Sequence, residues 1–322
     1  MQTTSIHLQV STATLVLVGL LACNPDGGSE ASGTSTESET DEIGESTSST
    51  TESTTETTES TTESTTETTE STTETTESTT ETTESTTDTG EGCAGECGTP
   101  GCGQCPGAPT VLGPGYRIER TEVRVGDYAL FLELPFSPAL LHEDCGWKLD
   151  FEPEDWDVQA MTPDLPVVEV DWCDAEAYCR WQGRHLCGEI GGGPAPFDVA
   201  DDVDTEWFAG CSSQDTFNFP YGNAYNASAC NGVDLGIGGP VAVGSLAGCA
   251  GGLPNLFDMS GNVREWVNAC DANPNVADDE QPCQRRGGAY VSAAGSLSCA
   301  SSAEIGRNSR TPTTGIRCCD MP

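Results

Sequence analysis

Basic residues are scarce in this chain. Its 322 residues include 12 Lys and Arg against 52 Asp and Glu, a net charge of −40, and every one of the 12 lies beyond residue 92. A surface of that sign repels phosphate backbones, which argues against a nucleic-acid partner. Histidine is scarcer still: His7, His142 and His185 are too few and too scattered to form a metal-holding cluster. Long apolar runs are also missing. The most apolar stretch, residues 15–22 (LVLVGLLA), is too short to cross a bilayer and reads as the apolar region of an export signal. What is abundant is cysteine. The 17 Cys residues are far denser than reducing compartments tolerate, so the chain belongs in an oxidising one.

The export signal ends in Leu20, Leu21, Ala22 and Cys23, which resembles a bacterial lipobox, where the Cys is acylated. This predicts a signal over 1–22, a lipid anchor at Cys23, two-chain membrane attachment and a place in the cell envelope, at the outer membrane or cell surface. Residues 23–92 are almost all Thr, Ser, Glu and Gly, with a near-heptad ESTTETT repeat over 46–87. No position of that heptad is apolar, so there is no coiled-coil seam to bury. Low hydrophobicity with charge of one sign predicts a disordered, extended linker. Fully stretched, it would reach on the order of 230 Å. Its Thr and Ser density permits O-glycosylation. The segment 93–109 carries Cys93, Cys97, Cys102 and Cys105. That spacing suits either zinc or two local disulfides, and export favours the disulfides.

Residues 110–322 read as one α+β domain with a high loop content. Val125, Tyr128, Ala129 and Leu132 recur at helical spacing, ending before Pro135. Residues 166–170 (PVVEV) predict a short strand, and Asp171 or Asp174 caps a helix running to about Trp181, closed by Gly183. Residues 255–262 are rich in turn formers, and residues 263–267 alternate like a strand. Cys270 and Cys283 flank a polar loop and suggest a local pair.

Four blocks in order resemble the formylglycine-generating enzyme (sulfatase-modifying factor) family: residues 121–131 (TEVRVGDYALF), 166–186 (PVVEVDWCDAEAYCRWQGRHL), 256–266 (LFDMSGNVREW) and 286–290 (RGGAY), with GIRC at 315–318 closing. The resemblance covers about 117–319 and implies a C-type-lectin-like fold, loop-rich and disulfide-rich. It also implies structural calcium. Asp258 and Glu265 would give carboxylate oxygens and Gly261 and Val263 carbonyls, with a second site at Asn231 and the carbonyl of Gly232, possible help coming from Asp234. Calcium takes six to eight hard oxygens from such flexible turns. Two family bridges would map to Cys179–Cys299 and to Cys318 with Cys145.

Active members of this family oxidise a substrate cysteine to formylglycine with two cysteines and copper. Those two positions fall here on Ser292 and near Leu297. Neither side chain can replace a thiolate, which is what soft Cu(I) prefers. The expectation is therefore no copper, no catalytic residue and a non-catalytic binding or structural module for a protein, peptide or glycan. The alternative is a formylglycine-generating oxidase using other cysteines, or another family activity. Ser292 has no evident His and Asp partners, so a hydrolase triad is unsupported. His185 is expected to pack or cap locally.

Overall fold

The computed structural model describes residues 93–322. The expectations placed on the signal, on Cys23 and on the linker fall outside the described residues.

The chain enters through β1 (Thr110–Gly113) and β2 (Tyr116–Glu119), an antiparallel hairpin whose turn needs Gly115 at φ 86°. Helix α1 (Val125–Leu132) turns its apolar stripe, including Val125, Tyr128 and Phe131, into the core. A short α2 (Trp156–Gln159) follows. Helix α3 (Trp172–Trp181) begins in a capping box. The Asp171 carboxylate accepts from the Asp174 N–H, and the Asp174 carboxylate accepts in return from the Asp171 N–H. Both aspartates act at this terminus. Gly183, at φ 71°, closes the helix.

Next come β3 (His185–Leu186), α4 (Glu206–Ser212), β4 (Arg264–Cys270), β5 (Pro282–Arg286), β6 (Ser302–Gly306), β7 (Thr314–Gly315) and β8 (Cys318–Asp320). They form two four-stranded sheets, ordered β1-β2-β8-β3 and β6-β5-β4-β7. Only the β4–β7 pair is parallel. The segment 166–170 makes no strand. Its backbone bonds go to loops instead, Val167 N–H to the Val123 carbonyl and Glu169 N–H to the Thr311 carbonyl, and Glu169 adopts φ 56°. Val167 and Val170 are nevertheless fully buried. The β-branched run serves the core without a strand neighbour on which to extend.

Between α1 and α3 lies an aromatic cluster. Tyr128 stacks on Tyr178 at 5.2 Å between ring centroids, and Phe131 meets Phe151 at 4.9 Å and Trp181 at 5.3 Å. Each fully buried indole finds an acceptor: Trp181 donates to the Cys102 carbonyl and Trp266 to the Val170 carbonyl. The first of these bonds docks the 93–109 segment onto the core, where Cys93, Cys97 and Cys102 are buried beside α3. Lys148 is buried between Asp171 (2.6 Å) and Asp174 (2.5 Å), while Arg310 reaches Asp174 at 2.9 Å.

All sixteen described cysteines pair: Cys93–Cys102, Cys97–Cys105, Cys145–Cys173, Cys179–Cys318, Cys187–Cys319, Cys211–Cys299, Cys230–Cys249 and Cys270–Cys283. Two implied bridges are corrected. Cys179 does not reach Cys299, because the face of α3 that carries it packs against the first sheet and puts it 5.5 Å (Cα–Cα) from Cys318. With Cys318 taken, Cys145 joins Cys173 at the start of the same helix, 5.9 Å away. Cys299 is held by Cys211 of α4.

Candidate functional site

Strand β4 separates two differently built regions, because its side chains alternate between faces. On one face stands Glu265, fully buried. Its two oxygens accept from Arg317 Nη2 (2.6 Å) and Nε (2.9 Å), and from the indole N–H of Trp207 (2.6 Å). Arg317, also fully buried, donates further to the carbonyls of Glu119 (2.7 Å) and Phe257 (2.8 Å). Burial pulls the Arg317 pKa down, yet Glu265 outweighs it and holds the guanidinium above its ordinary value. Arg317 lies in the closing GIRC block, and it is the cation of this centre.

The turn before β4 is threaded through left-handed residues, Asp258 at φ 61°, Gly261 at φ 82° and Asn262 at φ 59°. Gly261 lies against the backbone of Asn231, leaving no room for a Cβ. Asn262 ties the turn to its surroundings. Its amide donates to Glu122 Oε2 (3.2 Å), and its Oδ1 accepts from the Val241 N–H (2.9 Å) and from Asn231 Nδ2 (3.1 Å). Glu122 also accepts from the Val263 N–H. Burial, then the nearby Asp258 and Glu265 charges, push the Glu122 carboxyl well up; burial also raises Asp258. Asp258 accepts from the Gly244 N–H (2.5 Å).

Against this geometry the calcium expectation divides. Glu265 does not fit: both oxygens are occupied, and a guanidinium stands where a divalent cation would have to approach. That leaves Asp258 as the lone carboxylate of the first set, with the carbonyls of Gly261 and Val263. At the second set, Asn231 Oδ1 is buried without a hydrogen-bond partner, the kind of oxygen a hard cation uses. Gly232 follows it directly, while Asp234 instead accepts from the Tyr225 hydroxyl (2.9 Å). The one cluster of potential metal-ligating side chains among the described residues, Cys187, Glu206 and Cys319, offers no thiolate, because its cysteines are bonded to each other. His185 pairs there with Glu206 at 3.0 Å.

The opposite face of β4 carries Arg264 and Trp266, with Arg285 directly across from Trp266 on β5. Beside them lies the loop on which the two thiolate positions fall. Ser292 is buried, and its Oγ accepts from the Ala289 N–H (2.9 Å) and from Arg264 Nη2 (3.1 Å). Leu297 is buried against Gly232 and Gly288, and its carbonyl accepts from the Ser260 hydroxyl (2.6 Å). No His or carboxylate hydrogen-bonds Ser292 among the described residues, so it has no base to activate it. Between this loop and β6 opens a cleft of about 30 Å³ lined by Arg264, Arg285, Gly288, Ser296, Ser301 and Ser302. Arg285 donates to Thr314 Oγ1 (2.9 Å) and lies over the Trp266 ring at 5.7 Å, while its Nε has no partner. Burial, helped by Arg264, lowers its pKa to about 10.

Reading the sequence singles out neither Arg264, Arg285 nor Glu122. A usable signal existed: in a chain with 12 basic residues, three of them, at 264, 285 and 286, fall inside or beside the most specific motif blocks.

Residues 68–321 match the family model of the sulfatase-modifying factor enzyme 1-like domain. Among solved structures, the chain is similar to CarF, at 18% identity over 66% of this chain and 95% of that one with a TM-score of 0.42. It is similar to PvdO from Pseudomonas aeruginosa at 19% identity, covering 64% and 80% with a TM-score of 0.42. Variable protein 1 of Treponema denticola matches at 17% identity, covering 64% and 84% with a TM-score of 0.41. No curated protein matches the chain. With a four-block motif order, a mixed helix and sheet core and a family match over most of its length, the chain belongs to the sulfatase-modifying factor enzyme 1-like family.

Proposed function

We propose that this protein is an exported, lipid-anchored member of its family that binds a ligand rather than oxidising one. The observation that carries the reading is the state of the sulfurs. The formylglycine chemistry implied by the family resemblance needs two thiolates, yet Ser292 and Leu297 stand in their places and Cys299 is bonded to Cys211. Ser292 is held as a hydrogen-bond acceptor, not aimed as a nucleophile. The loops around it are stapled by disulfides to rigid elements, an arrangement that suits a binding surface. Anchoring at Cys23 and the spacer role of the linker rest on the sequence alone.

Of the two calcium expectations, the one at Asn231 and Gly232 is retained, supported by the unpartnered Asn231 Oδ1. The set built on Asp258 and Glu265 gives way to Arg317. Chelation is expected to lower the melting temperature of the full protein, and calcium to restore it; an unchanged melting temperature removes calcium from the reading.

The main test is a thiol count and an activity assay on the full chain. Titration of the unreduced, denatured protein should find no reactive thiol in the 93–322 domain. Incubation with a sulfatase-derived cysteine peptide and copper should leave the peptide unchanged. An aldehyde on that peptide would establish the oxidase and end the binding reading.

A further inference from the structure

We infer that the cleft between Arg264 and Arg285 is an oxyanion-binding site that receives the carboxylate, sulfate or phosphate group of a ligand. The inference rests on the reading of this site as one that binds, and it names the chemistry bound.

Three observations converge. First, two guanidiniums stand on one face of adjacent strands, and neither lies within ion-pair distance of a carboxylate among the described residues. Seven of the other basic side chains, Lys148, Arg124, Arg180, Arg184, Arg307, Arg310 and Arg317, have carboxylate partners. The remaining three lack one but are otherwise answered: Arg117 donates to Thr110, Arg120 is exposed to water, and buried Arg286 donates to the Ala200 and Cys299 carbonyls. In a chain with 52 acidic residues, partners are plentiful. Leaving two adjacent cations unmatched, one of them buried, is costly unless something else neutralises them.

Second, Arg285 is only 9% exposed and its Nε is a buried donor without an acceptor. One terminal nitrogen is fixed by Thr314 and the plane is set over Trp266, so the orientation of the guanidinium is determined before any ligand arrives. A planar fork so fixed suits two-point recognition of an oxyanion. Arg264, partly exposed, is steadied by Ser292, and the hydroxyls of Ser296, Ser301 and Ser302 line the same cleft as further donors.

Third, the size matches. A volume of about 30 Å³ exceeds what one water needs, roughly 10–15 Å³, and suits one carboxylate or tetrahedral oxyanion head. Gly288 lets its wall pack closely, because any Cβ there would meet the Ser296 carbonyl and the Leu297 side chain. The body of the ligand therefore remains outside the cleft.

The full chain is titrated with sodium acetate, sodium sulfate and sodium phosphate at constant ionic strength, with chloride as the background salt. The Arg285 Nε–H resonance is followed by NMR. A saturable shift is expected with a dissociation constant on the order of 1 mM, as suits a one-group ligand. Tighter saturation by acetate assigns a carboxylate ligand; tighter saturation by sulfate or phosphate assigns an ester. Arg264→Gln should weaken binding about tenfold, and Arg120→Gln, a surface change over Phe257, should not alter it. Arg264 is half-buried and unpaired, so this variant keeps the test informative even where Arg285→Met fails to fold. A titration without saturation, saturation by chloride at equal strength, or an unchanged constant in Arg264→Gln would each overturn the site. These results are independent of the thiol count and the aldehyde assay, so failure here and failure of the non-catalytic reading are distinguishable.

Discussion

The two faces of β4 handle buried positive charge in opposite ways. On one, Arg317 is enclosed completely, and every charge-bearing edge that the fold presents to it is an acceptor: Glu265 and two backbone carbonyls. On the other, Arg264 and Arg285 lie beside serine hydroxyls and an open cleft. The same residue type beside the same strand is a structural pin in one place and an unanswered donor in the other. A guanidinium whose donors are all satisfied inside the protein has nothing left to offer a ligand. One that lines a cleft and keeps a donor without an acceptor is free to meet a ligand.

The largest effect should come from breaking the satisfied face. Arg317→Met leaves Glu265 buried with only Trp207 as donor, and stability should fall by about 3–5 kcal/mol in denaturant unfolding. A loss near zero would mean that Glu265 finds another cation there, reviving calcium at Asp258. Removing a long-range staple should cost somewhat less. Cys179→Ala with Cys318→Ala opens a loop of 139 residues and should lower stability by about 2–4 kcal/mol, read by the same unfolding assay. A null result would place the weight of this region on the aromatic cluster instead.

The carboxyl pair beside Arg317 gives a pH signature. The folded-state pKa of Glu122 lies well above its unfolded value, through burial first and then the Asp258 and Glu265 charges. The folded protein therefore holds a proton that the unfolded chain releases, and stability falls as pH rises from about 4.3 through the folded pKa. Glu122→Gln, neutral at every pH, should flatten that decline in a melting-temperature profile. A profile as steep as the wild type's would show that Glu122 is ionised throughout.

The smallest effect is the sharpest contrast. Arg285→Met should change stability by less than about 1 kcal/mol. The bond to Thr314 and the contact with Trp266 are lost, but so is an unmatched buried charge. A loss as large as that of Arg317→Met would make Arg285 a structural residue.

Much of the scaffold is legible in the sequence. The helical spacing from Val125 to Leu132, the Asp171 and Asp174 caps and the alternation around Glu265 all act within a few residues, and each corresponds to α1, α3 or β4. The run at 166–170 misleads for the opposite reason. Its residue types suit a strand, but strand formation needs a neighbour, and here the neighbours are loops at Val123 and Thr311. The sulfurs follow the same division. Cys270 and Cys283 are the two ends of one short loop, whereas the partner of Cys179 depends on which sheet edge α3 settles against.

The candidate site is the least legible part. Glu265 belongs to a motif that implies a calcium ligand, and nothing in that motif reveals that Arg317, 52 residues away, will take both of its oxygens. Arg264 and Arg285 are 21 positions apart in the chain and become neighbours only through the β4–β5 register.

By itself, then, the sequence determined the family and the elements whose signals are local: caps, turn glycines and apolar periodicity. Tertiary structure alone decided which distant sulfurs join, which carboxylate meets which guanidinium, and which two unmatched arginines stand together at one cleft. The physical reason is range. Local signals are set by bonds between residues a few positions apart, while disulfides and buried charges obey distances of a few ångströms between segments that only the folded chain brings together.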